Sequence, residues 1–162
     1  MADIIEPSEY VIELAKKLAN GRLPGILATV DDEGVPHMRW MATLSLDDWP
    51  LLYTITSPVS SKVLHINQNP NVSWLFTNEE MNLVVNIHGK ARIATEFETM
   101  KHVWDLLEDK SKAYFLNIAT EIPGFAVIET EISKIEAVAP MTIAWIVIFP
   151  PQTARNASSV LI

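Results

Sequence analysis

The chain has 162 residues, 49% of them apolar and 20% charged, which is the profile of one ordinary globular domain with a sizeable core. Twelve Lys/Arg against twenty Asp/Glu give a net charge of −8, which argues against wrapping a polyanion such as nucleic acid and leaves, at most, small anions met at a local site. The absence of cysteine excludes a disulfide framework, a thiolate nucleophile and a cysteine-ligated metal, and is compatible with a reducing cytoplasm.

The first segment, "MADIIEPSEYVIEL", lacks the basic stretch and continuous apolar run of a secretory signal. "SEYVIELAKKLANG" places Val11, Leu14, Ala15 and Leu18 at helical spacing, which predicts an N-terminal helix over about 8–20, with Ser8 as N-cap and Gly21 as stop. "GILATVD" and "VPHMRWMATLSL" read as two strands joined by the tight turn "DDEG". A second turn, "DDWP" at 47–50, leads into a third strand, "LLYTIT". A short helix follows from about Ser61 to Asn69, stopped by Asn69-Pro70, and then "NVSWLFTN" and "NLVVNIHGKARIA" as strands four and five. In "TEFETMKHVWDLLEDK", Thr95 and Glu98 form a capping-box pattern that predicts a helix of about four turns. "GFAVIETEISKIEAV" returns to strand alternation as the sixth strand. Antiparallel strands with a short helix between the third and fourth, and a longer helix before the last, predict a small β-barrel over about 25–138 with helices at its edges. A C-terminal extension, 139–162, follows; its apolar stretch "MTIAWIVIFPP" is far short of the roughly 20 residues that cross a bilayer, so no membrane anchor is expected.

Chemistry concentrates in "LYTITSPVSSKVLHINQNP". Ser57, Ser60, Ser61 and Lys62 gather where a strand hands over to a helix, and the first amides of a helix, carrying partial positive charge, favour an anion. The plainer reading is a capping serine beside a solvated lysine. Elsewhere, the histidines at 37, 65, 88 and 102 show no metal-ligand spacing, no metal site is expected, and the five glycines form neither GxGxxG nor a P-loop. The pairs Asp31-Asp32 and Asp47-Asp48 are turn residues.

The succession "ILATVDDEGVPHMRWM", "LYTITSPVSSKVLHINQNPNVSWLF" and "NIHGKARIA", covering roughly residues 10–138, resembles the pyridoxamine 5′-phosphate oxidase-like, FMN-binding split-barrel family. The resemblance implies a mainly β chain with flanking helices, built on a six-stranded antiparallel split β-barrel. It implies FMN as cofactor, with Ser60, Ser61 and Lys62 at its phosphate, Arg39 at the phosphate or ribityl chain, Trp40, Met41 and Ala42 along the ring, and Tyr53 and Thr54 at the end of the third strand. It also implies a homodimer with the flavin between subunits, a small-molecule substrate or electron acceptor, and an oxidoreductase in which the flavin supplies the chemistry, so no catalytic side chain is named. Leu44 stands where the oxidase proper has a lysine, Ser61 replaces an arginine, and the oxidase's C-terminal Arg-His segment has no counterpart. The chain thus resembles the shorter general stress protein and flavin reductase-like relatives rather than the true oxidase. A non-catalytic flavin sensor or store, and a deazaflavin- or haem-binding split barrel, are the alternatives. Trp74, Phe76, Val85, Ile87 and "IAWIVIF" offer apolar material that core and dimer interface would share.

Overall fold

A computed structural model describes residues 7–20, 23–45, 49–107, 124–138 and 145–148. Helix α1, Pro7–Ala19, buries Val11, Ala15 and Ala19, one full turn apart, so a single stripe meets the sheet. It begins one residue before the expected cap, with proline inside the first turn, where its missing N–H costs nothing. Strands β1, Gly25–Val30, and β2, Pro36–Met41, form a hairpin whose turn is tied by Asp31: its Oδ1 accepts from the amides of Glu33 at 3.0 Å and Val35 at 2.8 Å. Gly34 takes φ 83°, the left-handed backbone that the turn requires.

The sequence reads Val35–Leu46 as one strand, but the chain breaks at Ala42-Thr43 and resumes as β3, Leu44–Ser45, paired with β4, Leu51–Thr56. Helix α2, Ser61–Gln68, leads to β5, Asn71–Thr77, and β6, Val84–Ala94. Helix α3, Phe97–Asp105, precedes β7, Ala126–Val138, and β8, Trp145–Ile148, which lies in the C-terminal extension and pairs with β7. The six expected strands are present, with β3 and β8 as short additions.

The strands run in the order β2-β1-β5-β6-β7-β4-β3, and every neighbouring pair is antiparallel. β2 and β3 therefore occupy opposite edges of the sheet, yet only Ala42 and Thr43 separate them. Three residue steps from Met41 to Leu44 reach at most about 11 Å, so the two edges must approach each other and the sheet must curl. The Thr54 hydroxyl donates to the Ala42 carbonyl at 2.5 Å across this seam. The result is a split barrel.

Its interior holds Leu27, Leu52, Trp74, Phe76, Val85, Ile87, Ile128, Ile132 and Ile135, with Trp74 and Phe76 stacked at 5.9 Å. Each such side chain contributes on the order of 1.5–3 kcal/mol by leaving water. Trp74, Phe76, Val85 and Ile87 are thus core residues, and none of these four is surplus for an interface. Where β6 meets β7 the register shifts at His88/Gly89, and a Cβ on Gly89 would lie 2.2 Å from the Glu131 carbonyl oxygen, so only glycine fits. On the other side of β4 and β7, Tyr53, Ile55, Ala94, Val103 and Val127 form a second cluster under α3.

The capping box expected at Thr95 does not form. Glu96 is the N-cap and makes no side-chain cap; its carboxylate instead accepts from Arg92 and from the Thr95 amide. Residues 108–123, which include the remainder of the predicted four-turn helix, and Asp47-Asp48 of "DDWP" lie outside the described residues, as does the tail beyond 148.

Candidate anion-binding site

Strand register decides which side chains of β2 face inward. Arg39 lies opposite Leu27 and His37 opposite Thr29; Leu27 and Thr29 are buried, and directly paired residues share a face. Arg39 therefore points to the interior side, where its Nη1 donates to Thr29 Oγ1 at 2.7 Å and, more weakly, to the Leu27 carbonyl at 3.3 Å. Its Nε and Nη2 make no hydrogen bond among the described residues. On β4 the alternation that buries Leu52 in the barrel also turns Thr54 and Thr56 inward. The Thr56 hydroxyl accepts from Lys62 Nζ at 2.9 Å and lies 3.3 Å from Ser60 Oγ.

Ser60 occupies the N-cap position of α2 with extended backbone, φ −74° and ψ 147°, but makes no side-chain cap. The plainer reading of this serine as a capping residue is not realised. Its hydroxyl turns toward Thr56; the Val63 amide donates to the Ser60 carbonyl at 3.0 Å, and the amides of Ser61 and Lys62 have no acceptor among the described residues.

The electrostatics are unusual for an acidic chain. Among the described residues no carboxylate pairs with Arg39 or Lys62, although Lys16, Arg92, Lys101 and Lys134 each have one. Burial lowers the Arg39 pKa from its ordinary value. Burial, and then the Arg39 charge, lower that of Lys62. Two half-buried cations thus repel each other beside a helix start and two hydroxyls. This is a destabilising arrangement unless an anion completes it, and a phosphate monoester offers the oxygens, the charge and the geometry that a guanidinium fork and an ammonium match.

The expected site residues divide into two groups. Arg39, Ser60 and Lys62 come together, and Thr54 ties the nearby seam to Ala42. Ser61, at the first position of α2, is exposed. Trp40 points outward and is 64% exposed, whereas Met41 packs against the core. Tyr53 lies on the opposite face of β4, buried under α3. The sequence reading missed Thr29 and Thr56. Threonine suits either face of a strand, and only the parity set by Leu27 and Leu52 shows that both hydroxyls turn inward. It also left His65 without a role; this histidine is buried and its Nδ1 lies 2.9 Å from Thr29 Oγ1. Among the described residues, no group of three or more His, Asp or Glu is placed to hold a metal, and no helix is long and apolar enough to cross a membrane.

The profile of the pyridoxamine 5′-phosphate oxidase family matches residues 12–139, well over half of the chain. The pyridoxine/pyridoxamine 5′-phosphate oxidase of Serratia proteamaculans (strain 568) is 34% identical over 76 residues, 47% of this chain and 35% of that protein, so the match spans about a third of the relative's length. Among solved structures, a pyridoxamine 5′-phosphate oxidase-related, FMN binding protein from Nostoc punctiforme PCC 73102 superposes with a TM-score of 0.78 at 17% identity, covering 98% of both chains. The General Stress Protein 26 of Bacillus anthracis str. Sterne gives 0.60 at 26% identity over 75% of this chain and 88% of its own. With its split barrel and a match running from α1 to the end of β7, this chain belongs to the pyridoxamine 5′-phosphate oxidase family.

Proposed function

We propose that the chain is an FMN-binding flavoprotein that acts as an oxidoreductase on a small organic substrate, and that Arg39 and Lys62 hold the FMN phosphate. The observation that carries this reading is the pair of half-buried cations that no carboxylate among the described residues neutralises. The residues present fit the group: Nε and Nη2 of Arg39, which bond nothing among the described residues, the Lys62 ammonium, the Ser60 and Ser61 hydroxyls and the Ser61 and Lys62 amides would supply donors for a phosphate. Bound flavin would supply the hydride or electron chemistry, and the protein's part is to bind, orient and shield it. Thr54, by holding the Ala42 carbonyl, fixes the backbone after Trp40 and Met41 along which the ring would lie.

The substrate is not pyridoxamine phosphate in this reading. Leu44, at the place of the oxidase's lysine, packs against the apolar cluster under α3 and offers an incoming phosphate no charge. The second copy of the chain enters because β2 is an edge strand whose outer face shows Met38 73% and Trp40 64% exposed. Large apolar side chains alternating on an open edge favour burial against a partner, and a homodimer would cover them and deepen the flavin crevice.

The test is direct. Purified protein should be yellow and release FMN on denaturation, and Lys62→Ala should weaken FMN binding by about 1.5–3 kcal/mol, the range for a charge-assisted hydrogen bond. Equal affinities by isothermal titration would remove Lys62 from the site, a Soret band would replace flavin by haem, and flavin that reduced nicotinamide cofactors fail to bleach would favour a sensor.

A further inference from the structure

Fully buried on the inner face of β1, Thr29 is a hydroxyl where valine would fill the same space, and such a group is costly unless it is hydrogen-bonded. It is bonded twice: Oγ1 lies 2.7 Å from Arg39 Nη1 and 2.9 Å from His65 Nδ1. A guanidinium only donates, so Oγ1 accepts from Arg39. Its single hydrogen is then free for Nδ1, which accepts it only when His65 is neutral with its proton on Nε2. His65 is held in place in turn. Its ring lies 4.8 Å from that of His37, at 44°, and His37 Nε2 bonds Asp31 Oδ2 at 2.7 Å. A chain of contacts therefore runs from the Asp31 turn through His37 and His65 to Thr29, and ends on one nitrogen of Arg39.

We propose that Thr29 and His65 are positioning residues that aim the Arg39 guanidinium, with Nε and Nη2 left open, at the flavin phosphate. This rests on the phosphate reading above. An arginine on a strand edge has four rotatable bonds, and anchoring Nη1 at Thr29 and Leu27 removes that freedom before the anion arrives, which is what preorganisation of a binding site means. The neutral state in which Nδ1 accepts from Thr29 agrees with the surroundings of His65. Burial, then the His37 and Arg39 charges, lower its pKa, against the opposing pull of Asp31 and Asp32.

FMN and riboflavin differ only in the phosphate, so titrating both by flavin fluorescence separates aiming from folding. Thr29→Val and His65→Leu are expected to lose about tenfold in FMN affinity, as for one hydrogen bond to a charged group, with riboflavin affinity unchanged. Thr29→Ser keeps the hydroxyl, and His65→Asn places an amide oxygen near the position of Nδ1; both should remain within about threefold of the parent for FMN. Parallel losses for FMN and riboflavin, or no rescue by serine and asparagine, would reduce the pair to a structural role, and unchanged FMN affinity in Thr29→Val would remove the relay. If His65→Leu fails to fold, the Thr29→Val and Thr29→Ser pair decides alone. Should the parent protein bind FMN no more tightly than riboflavin, the phosphate reading itself falls and the relay with it; a parent preference for FMN with indifferent variants overturns the relay only.

Discussion

Arg92 on β6 and Arg39 on β2 are both arginines of barrel strands, in opposite electrostatic company. Arg92 is gripped from two sides: Nε and Nη2 donate to Glu129 at 2.7 and 3.1 Å, and Nη1 donates to both oxygens of Glu96 at 2.8 and 3.0 Å. Those hydrogen bonds, to Glu129 and then Glu96, raise its pKa above the ordinary value. Arg39 has a hydroxyl and a carbonyl, a second cation nearby and a lowered pKa. Among the described residues two carboxylates hold the first arginine and none pairs with the second. The first charge is finished within the fold. The second has no counter-charge among the described residues.

The strongest way to break that comparison is to remove the unfinished pair. The double variant Arg39→Met with Lys62→Met should lose about 3 kcal/mol or more of FMN binding, from two charge-assisted hydrogen bonds. The unliganded protein should melt no lower than the parent, because two desolvated cations that repel each other are gone. Parallel titration and thermal melts check both halves. A lowered melting point with intact FMN affinity would show the cations to be structural.

Next in size is the finished pair. Glu129 is buried and Arg92 about half-exposed, so Glu129→Gln should cost about 1–2 kcal/mol of stability, below the range for fully buried pairs because water already screens the arginine. Flavin binding should not change. Denaturant unfolding of the variant checks the first statement and FMN titration the second.

A smaller effect follows from His65. Its folded pKa lies below the ordinary 6.5, so as the pH falls through that value the unfolded chain takes up the proton first. At this residue the unfolded state then binds more protons than the folded one, so the His65 contribution to stability falls with pH in this window. Unfolding free energies between about pH 7 and 5 should therefore decline more steeply for the parent than for His65→Asn, which has no proton to take up there. Bound FMN, bringing negative charge to Arg39, should lessen the parent's decline. Identical slopes in parent and variant would place the acid sensitivity elsewhere.

The smallest expected change is Glu96→Gln. This carboxylate is exposed, and Glu129 still satisfies Arg92 after the substitution, so the melting temperature should stay within the error of the measurement.

Much of the barrel is legible in the sequence because alternation is local: "GILATV", "NVSWLFT" and "VVNIHGKARIA" declare their faces residue by residue. The break after Met41 is not legible. Ala42-Thr43 carries no glycine or proline, and the chain leaves one sheet edge there only because the opposite edge has curled round to meet it. The capping box at Thr95 misleads for a related reason, since Arg92, a turn earlier, draws Glu96 into an ion-pair network that local spacing does not show. At the site, Arg39 stands out as a charge between Met38 and Trp40, and Lys62 as one beside Ser60 and Ser61. Thr29, Thr56 and His65 do not, because their meaning lies in the register of β1 with β2 and in the packing of α2 against β1. Tyr53, which the resemblance groups with Thr54, stands beside it in the sequence, and the strand turns it to the other face.

The most direct test of the account is a crystal structure of the protein grown with FMN. It should place phosphate oxygens within about 2.7–2.9 Å of Arg39 and Lys62 nitrogens, the distance of a charge-assisted hydrogen bond, with Nη1 of Arg39 still on Thr29. A phosphate bound elsewhere, with Arg39 and Lys62 both left unpaired, would contradict it.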